Sequence, residues 1–214
     1  METKTYSFSN IKFSDLEEIV QIKGKINDDK FREWFEHWVE TSEDDKAFFM
    51  RLIGKNRLLL PSYSEEKLKM RFLALILDKV DFSTDTMQDW YDAALAGFVN
   101  GVEIKGFTDF MVATGSKSPH KPYFFIQEFK PTQADKDVED QLLAEMLVAI
   151  ELNQTTMIRG AYIIGQNWRF VIVEKINNTK FEYFVSKQFD SLDIMDLLQI
   201  YANLMTVKLK YCQE

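Results

Sequence analysis

Apolar positions along the chain recur at helical spacing in several stretches. Residues 28–40 place Phe31, Trp34, Phe35 and Trp38 on one stripe, with Asp28 or Asp29 positioned to cap the helix this predicts. A second short helix is expected over residues 44–53, ending near Gly54. From Ser64, a candidate N-cap, the positions Leu68, Phe72, Leu75, Ile76 and Val80 form an amphipathic face. Residues 85–100 read as a further helix through Trp90, Tyr91, Ala94, Leu95 and Phe98. Residues 134–153 carry Val138, Leu142, Met146, Ala149 and Ile150 on one face. A closing helix, capped by Asp190 or Ser191, repeats Ile194, Leu197, Leu198, Tyr201, Leu204 and Met205.

Between these stretches the pattern changes to strands. A short one is expected over residues 102–105, and two longer ones over 106–114 and 123–130. The connecting residues 115–122 are turn formers without apolar content. Residues 160–164 and 168–174 read as a hairpin around Gly165-Gln166-Asn167, and 181–186 as another strand after Asn177-Asn178. The order is helices, a block of mostly antiparallel strands interrupted by one helix, then a terminal helix. That order predicts an α/β layered domain with a mixed central sheet rather than a repeated βαβ winding. Residues 1–60 read as a helical amino-terminal extension and 61–214 as the main domain, with no internal repeat or low-complexity linker between them.

The candidate chemistry lies on the two longer strands. Side chains two apart on a strand share a face, so Phe124, Ile126, Glu128 and Lys130 line up, as do Phe107, Asp109 and Met111. A hairpin centred between Ser118 and Pro119 sets Asp109 opposite Glu128. Two like charges facing each other in a half-buried sheet repel, unless a cation or a shared proton compensates. A hard divalent ion resolves the conflict. Oxygen-only ligands without a nearby His or Cys favour Mg2+ or Mn2+ over zinc. The same spacing equally describes a solvated strand exit, with Asp109 opening a turn after Gly106. Glu103 is a reserve acidic ligand or an ordinary surface position.

Asp109, a spacer, then Glu128-Phe129-Lys130 on adjacent strands, followed by a helix carrying Gln141, resembles the PD-(D/E)XK nuclease superfamily over residues 64–175. The stretch Phe125-Ile126-Gln127-Glu128-Phe129-Lys130 is similar to uncharacterised bacterial members related to type I restriction-subunit amino-terminal domains. The resemblance implies a restriction-endonuclease-like layered fold with helices flanking the mixed sheet. It implies catalytic roles for Asp109, Glu128, Lys130 and Gln141. It also implies metal ligation by Asp109 and Glu128, with Glu65 as a third ligand directly or through water. Position alone favours Glu65 as a first-turn partner of the helix dipole, and Gln141 as a boundary residue of a buried helix face. This chain has Thr108 where the family often has Pro before the Asp, and Glu145 where many members carry an aromatic. The implied substrate is nucleic acid, DNA ahead of RNA, and the implied cofactor Mg2+ or Mn2+. The alternative is a nuclease fold kept as a binding or assembly module that turns nothing over.

Composition narrows these expectations. At 214 residues the chain can hold one large domain, or a domain with an appendage. A net charge of −8 argues against a nucleic-acid coat, but not against a nuclease whose metal supplies local positive charge. No apolar run reaches the length of a membrane span and Met1-Glu2-Thr3-Lys4 does not open a signal peptide, so a cytoplasmic protein without membrane attachment is expected. The single cysteine, Cys212, excludes an internal disulfide and a cysteine-rich zinc site. His37 and His120 are far apart, and His37 reads as helix packing. Phosphate-binding glycine loops and a His-Glu-x-x-His motif are absent, which argues against nucleotide hydrolysis and zinc proteolysis. The aromatic amino-terminal helices are the candidate surface for a homodimer or a protein partner.

Overall fold

The computed structural model describes residues 4–132 and 138–212. Among them, strands form one mixed sheet in the order β1 (Thr5–Ser7), β4 (Val102–Thr114), β5 (His120–Lys130), β6 (Met157–Ile164), β7 (Asn167–Lys175), β8 (Lys180–Val185), β2 (Gln21–Lys25). In addition β3 (Met87–Val99) pairs with β4, and β9 (Phe189–Asp190) with β7. The β1–β4, β5–β6 and β2–β8 pairs are parallel and the others antiparallel.

Helices cover both faces of the sheet, each over its own apolar cluster. On one side α2 (Asp29–Phe35), α3 (Glu43–Asn56), the run from α4 (Glu65–Leu68) to α5 (Ala74–Val80), and α7 (Ile194–Thr206) pack on Phe110, Phe125, Phe129 and Phe170. On the other, α1 (Phe13–Ile19) and α6 (Val138–Asn153) pack on Met111, Ile126 and Val171. Apart from its last turn α6 is buried almost all round, as its apolar composition requires. Its expected start at residue 134 lies outside the described residues. Ile126 and Met111 share the α6 side as alternation demands, whereas Phe124 packs with the other cluster and Phe107 is exposed.

Residues 1–60 are only partly helical. Strands β1 and β2 join the sheet beside β4 and β8, pairing Thr5 with Glu103 and Gln21 with Lys180. Parallel pairing with distant partners leaves no local signal. Trp34 is buried edge-on against Phe125, Phe170 and Tyr211, and its indole N–H donates to the Asn203 carbonyl at 2.8 Å. Helix α2 stops at Phe35, so Trp38 leaves the expected stripe and stands 77% exposed. The other aromatics of this stripe, Phe31, Trp34 and Phe35, turn inward onto the core. Helix α3 starts from a Ser42 cap and passes through Gly54 to Asn56.

The expected helix over residues 85–100 is β3. Its buried positions are Met87 and then Ala93, Leu95, Gly97 and Val99, the last four at a period of two, while Tyr91, Ala94 and Phe98 of the supposed helical stripe face solvent. Alanine content favours a helix locally, but pairing along β4 overrides it. The missed signal is Asn100-Gly101, both at positive φ (47° and 80°), the sequence of a tight hairpin turn. Consequently residues 102–105 and 106–114 are one strand. Helix α7 is capped by Asp193, whose side chain accepts from the Met195 and Asp196 amides, and not by Asp190 or Ser191. Among the described residues no helix is long and apolar enough to cross a membrane.

Candidate active site

The site forms where β4 loses a neighbour. Strand β3 follows one edge of β4 along its length, while the other edge is shared: β1 pairs with residues 103–105, and β5 begins at Phe110. The expected register holds for Phe110–Gln127, Met111–Ile126 and Val112–Phe125, and irregularities toward the turn take up the longer loop. One step beyond, where Asp109 would face Glu128, the ladder stops. Asp109 Oδ2 instead accepts the backbone N–H of Phe129 at 2.8 Å. The open edge is thus closed by a carboxylate, which remains available to other groups through its second oxygen.

Two lysines converge on that carboxylate. Lys130 Nζ lies 2.6 Å from Glu128 Oε1, 3.6 Å from Asp109 Oδ2 and 3.7 Å from Glu65 Oε2, and also donates to the Phe129 carbonyl at 3.0 Å. Lys69 Nζ lies 2.6 Å from Asp109 Oδ1, 3.2 Å from Glu65 Oε1 and 3.7 Å from Asp92 Oδ1. Glu65 arrives on the first turn of α4, whose Ser64 cap accepts the Lys67 amide as expected. Lys69, one turn on, opens a π turn (Lys69–Leu73) before α5, a local irregularity of the kind that often marks functional positions. The structure therefore brings Glu65, Asp109, Glu128 and Lys130 together. Glu103 is elsewhere, bound to Lys105 and Thr5 at the surface.

Gln141 reaches the site through an intermediary. Its amide donates to Glu145 Oε1 at 3.1 Å, one turn along α6, and not to Lys130. Glu145 is fully buried. Its second oxygen, like Oε2 of Glu128, has no hydrogen-bond donor among the described residues.

Burial sets the protonation of the acids, and neighbouring charges then separate them. Glu128 is pushed up to about 8 by loss of solvent and by the Asp109 charge, against the pull of Lys130. Glu145 is raised well above its ordinary value by burial and by Glu128. Asp109 goes the other way: burial acts to raise it, but Lys130, Lys69 and the Phe129 amide together hold it below its ordinary value. Burial would also lower both lysines, yet their acidic partners keep them raised and charged.

Sequence reasoning missed Lys69, Asp92 and Glu145. Lys69 was legible as the i+4 neighbour of Glu65 on the same helix face. Asp92 was hidden by the helical reading of β3. It sits in mid-strand with φ 47°, between the pairs Tyr91–Phe110 and Ala93–Thr108, and hence across from Asp109. A left-handed non-glycine residue inside a strand is backbone strain, of a kind that gathers at functional sites.

As these side chains stand, among the described residues no group of three or more His, Cys, Asp or Glu is drawn together to hold a metal ion. Lys69 and Lys130 fill the spaces between the carboxylates. The donor set nevertheless suits a hard cation: it is oxygen-only, and Glu128 Oε2 is buried without a donor. Asp109 and Glu128, with Glu65, are the residues that would hold one.

No family model matches the chain, and no curated protein matches it. Among solved structures the chain is similar to the crystal structure of SSO0001, 15% identical over 82% of this chain and 83% of that one, with a TM-score of 0.25. A likeness that low carries no argument about fold or function.

Proposed function

We propose that this site hydrolyses phosphodiester bonds of nucleic acid, DNA in the first place, as a PD-(D/E)XK-type centre on a restriction-endonuclease-like layered fold, using Mg2+ or Mn2+. The observation that carries the reading is Lys130: its ammonium lies within 3.7 Å of carboxylates from α4, β4 and β5, so groups far apart in sequence meet around one amine. A bound Mg2+ or Mn2+ supplies charge neutralisation at the phosphoryl oxygens and a more acidic water. Lys130, charged and held at the rim by Glu128, orients the attacking water and stabilises negative charge that develops on the phosphoryl group. Asp109, kept ionised and fixed by the Phe129 amide, has a second oxygen, bonded to Lys69, that would ligate the cation. Gln141 acts through Glu145, the buried acid that its amide holds on the α6 side of the site. A cytoplasmic location accords with such a substrate.

The test is cleavage of plasmid and of single-stranded, duplex and branched DNA under each metal. Activity lost on Asp109→Ala and on Lys130→Ala, with the fold intact, supports the reading. No cleavage by the wild type under either metal sinks it. A second reading, a nuclease fold that binds or assembles without turnover, is favoured by Lys69, which stands between Asp109 and Glu65 where a cation would contact both. An idle module shows no Mn2+ affinity that depends on Asp109 and Glu128.

A further inference from the structure

The charge of this chain is unevenly placed. Residues 51–71 hold six Lys or Arg (Arg51, Lys55, Arg57, Lys67, Lys69, Arg71) against two Glu, in a chain of net charge −8. Lys69 belongs to the site described above. The other five are exposed, and among the described residues none has a carboxylate within ion-pair distance, although the protein carries a large excess of acids.

These five cations fall on two consecutive elements, the end of α3 and the run from α4. Arg51 and Lys55 lie one turn apart on the last turns of α3, Arg57 follows its end, and Lys67 and Arg71 lie one turn apart on the run from α4. Tyr63 ties the two halves together: its hydroxyl donates to Asn56 Oδ1 at 2.8 Å, and Lys67 Nζ sits 4.5 Å from its ring centre. The linking loop also reaches the catalytic end of β5, since Pro61, Ser62, Tyr63 and Ser64 line a cleft with Pro131, the residue after Lys130.

Helix geometry relates the strip to the site. Glu65 and Lys69 occupy the inward face of the helix, and Lys67 and Arg71 its outward face. A helix is about 10–12 Å across, and phosphates along one strand of a duplex advance about 3.4 Å each along the axis. The outward cations therefore lie across the width of one helix from Glu65 and Lys69, a span of about three phosphates.

We propose that the strip Arg51, Lys55, Arg57, Lys67 and Arg71 is the substrate-docking surface of this protein, binding the phosphate backbone of duplex DNA beside the site. A local excess of cations, six Lys or Arg against two Glu over residues 51–71, is where an otherwise acidic protein lets a polyanion approach. The strip rests on the cleavage reading for its meaning, but its binding is separately measurable.

The test is fluorescence anisotropy with a fluorescein-labelled duplex in EDTA, so that nothing is cut, across a salt series. Compared are the wild type, the five-site variant R51Q/K55Q/R57Q/K67Q/R71Q, its halves R51Q/K55Q and K67Q/R71Q, and a control with five exposed lysines replaced elsewhere, K12Q/K23Q/K117Q/K121Q/K187Q. Thermal melts establish that each is folded, and the halves stand in if the five-site protein is not. The expected result is at least about a tenfold loss of affinity for the five-site variant and a salt slope lower by about 4, with the control near wild type and each half giving about half the change in slope. Equal losses in strip and control variants overturn the proposal, as does a wild type that binds anionic phosphatidylserine vesicles but no duplex. Failure here is distinct from failure of the cleavage reading. Unchanged binding with Asp109-dependent cleavage removes only the strip, and strip-dependent binding by a protein that cuts nothing removes only the cleavage.

Discussion

The carboxylate of Asp109 accepts the amide hydrogen of Phe129 at 2.8 Å, and Phe129 is the residue between Glu128 and Lys130. That bond locks β4 to β5 just past the last backbone pair, so a change at Asp109 acts on charge and on position together. Asp109→Asn retains an oxygen able to accept from Phe129 but loses the charge. Cleavage is expected to fall by at least about 10²–10³-fold, with a melting temperature close to wild type. Asp109→Ala is expected to lose as much activity and also to melt lower, because it leaves the buried amide of Phe129 unpaired. Paired kinetics and thermal melts on the two variants check this. Full activity in Asp109→Asn would rule out its charge as a requirement.

Lys69 competes for the oxygens a cation would use. Lys69→Met keeps the aliphatic stem and removes the ammonium. Without divalent ion the variant is expected to lose about 2 kcal/mol, the order of one charged hydrogen bond. Mn2+ should bind at least about tenfold tighter, worth 1.4 kcal/mol. Isothermal titration measures the affinity. Unaltered Mn2+ binding would mean that Lys69 does not occupy the ion's place.

The Glu128 carboxyl sits at about 8 in the fold against an ordinary 4.5. Between those two values the folded protein keeps a proton that the unfolded chain releases, so stability falls as pH rises through this window, and the loss is complete above about 8. Glu128→Gln cannot ionise. Its melting temperature in EDTA should therefore decline less than the wild type's from about pH 5 to about pH 9, at about 2–4 °C for each kcal/mol in a chain of this size. Parallel pH profiles of the two proteins would refute the assigned protonation.

Gly160 lies on β6 between the Ile126 carbonyl of β5 and Met146 of α6. A Cβ there would come within 2.8 Å of the Ile126 carbonyl oxygen and 3.0 Å of Met146 Sδ. Gly160→Ala is expected to cost about 1–3 kcal/mol by chemical denaturation, through displacement of backbone as well as side chain. An unchanged midpoint would show that the helix sits further from the sheet.

Trp34 gauges how far the amino-terminal segment belongs to the main core. Its indole fills the space between Phe125, Phe170 and Tyr211. Trp34→Ala should cost about 3–5 kcal/mol, in one cooperative transition that includes the sheet. Two separate transitions would show that residues 1–60 unfold on their own.

The local chain determined more of the site than of the fold around it. The apolar pattern of the two strands, with the polar turn and the Glu128-Phe129-Lys130 triplet, was sufficient to predict the register from Phe110–Gln127 to Val112–Phe125, which survives the irregularities near the turn. Only the structure showed that Asp109 binds the Phe129 amide instead of facing Glu128. Ser64 and the stripe from Leu68 likewise placed Glu65 on the first turn of an amphipathic helix. Tertiary structure alone decided that β3 is a strand, since an alanine-rich segment takes whichever form its partner stabilises, and with that decision Asp92 came opposite Asp109. It alone placed β1 and β2 against strands far away in sequence, and turned Glu145 into a buried acid beside Glu128. Periodicity reports which face of an element is apolar. What that face meets depends on contacts between residues far apart along the chain, and it is those contacts that supply the second lysine, the extra carboxylates and the shifted protonation of the site.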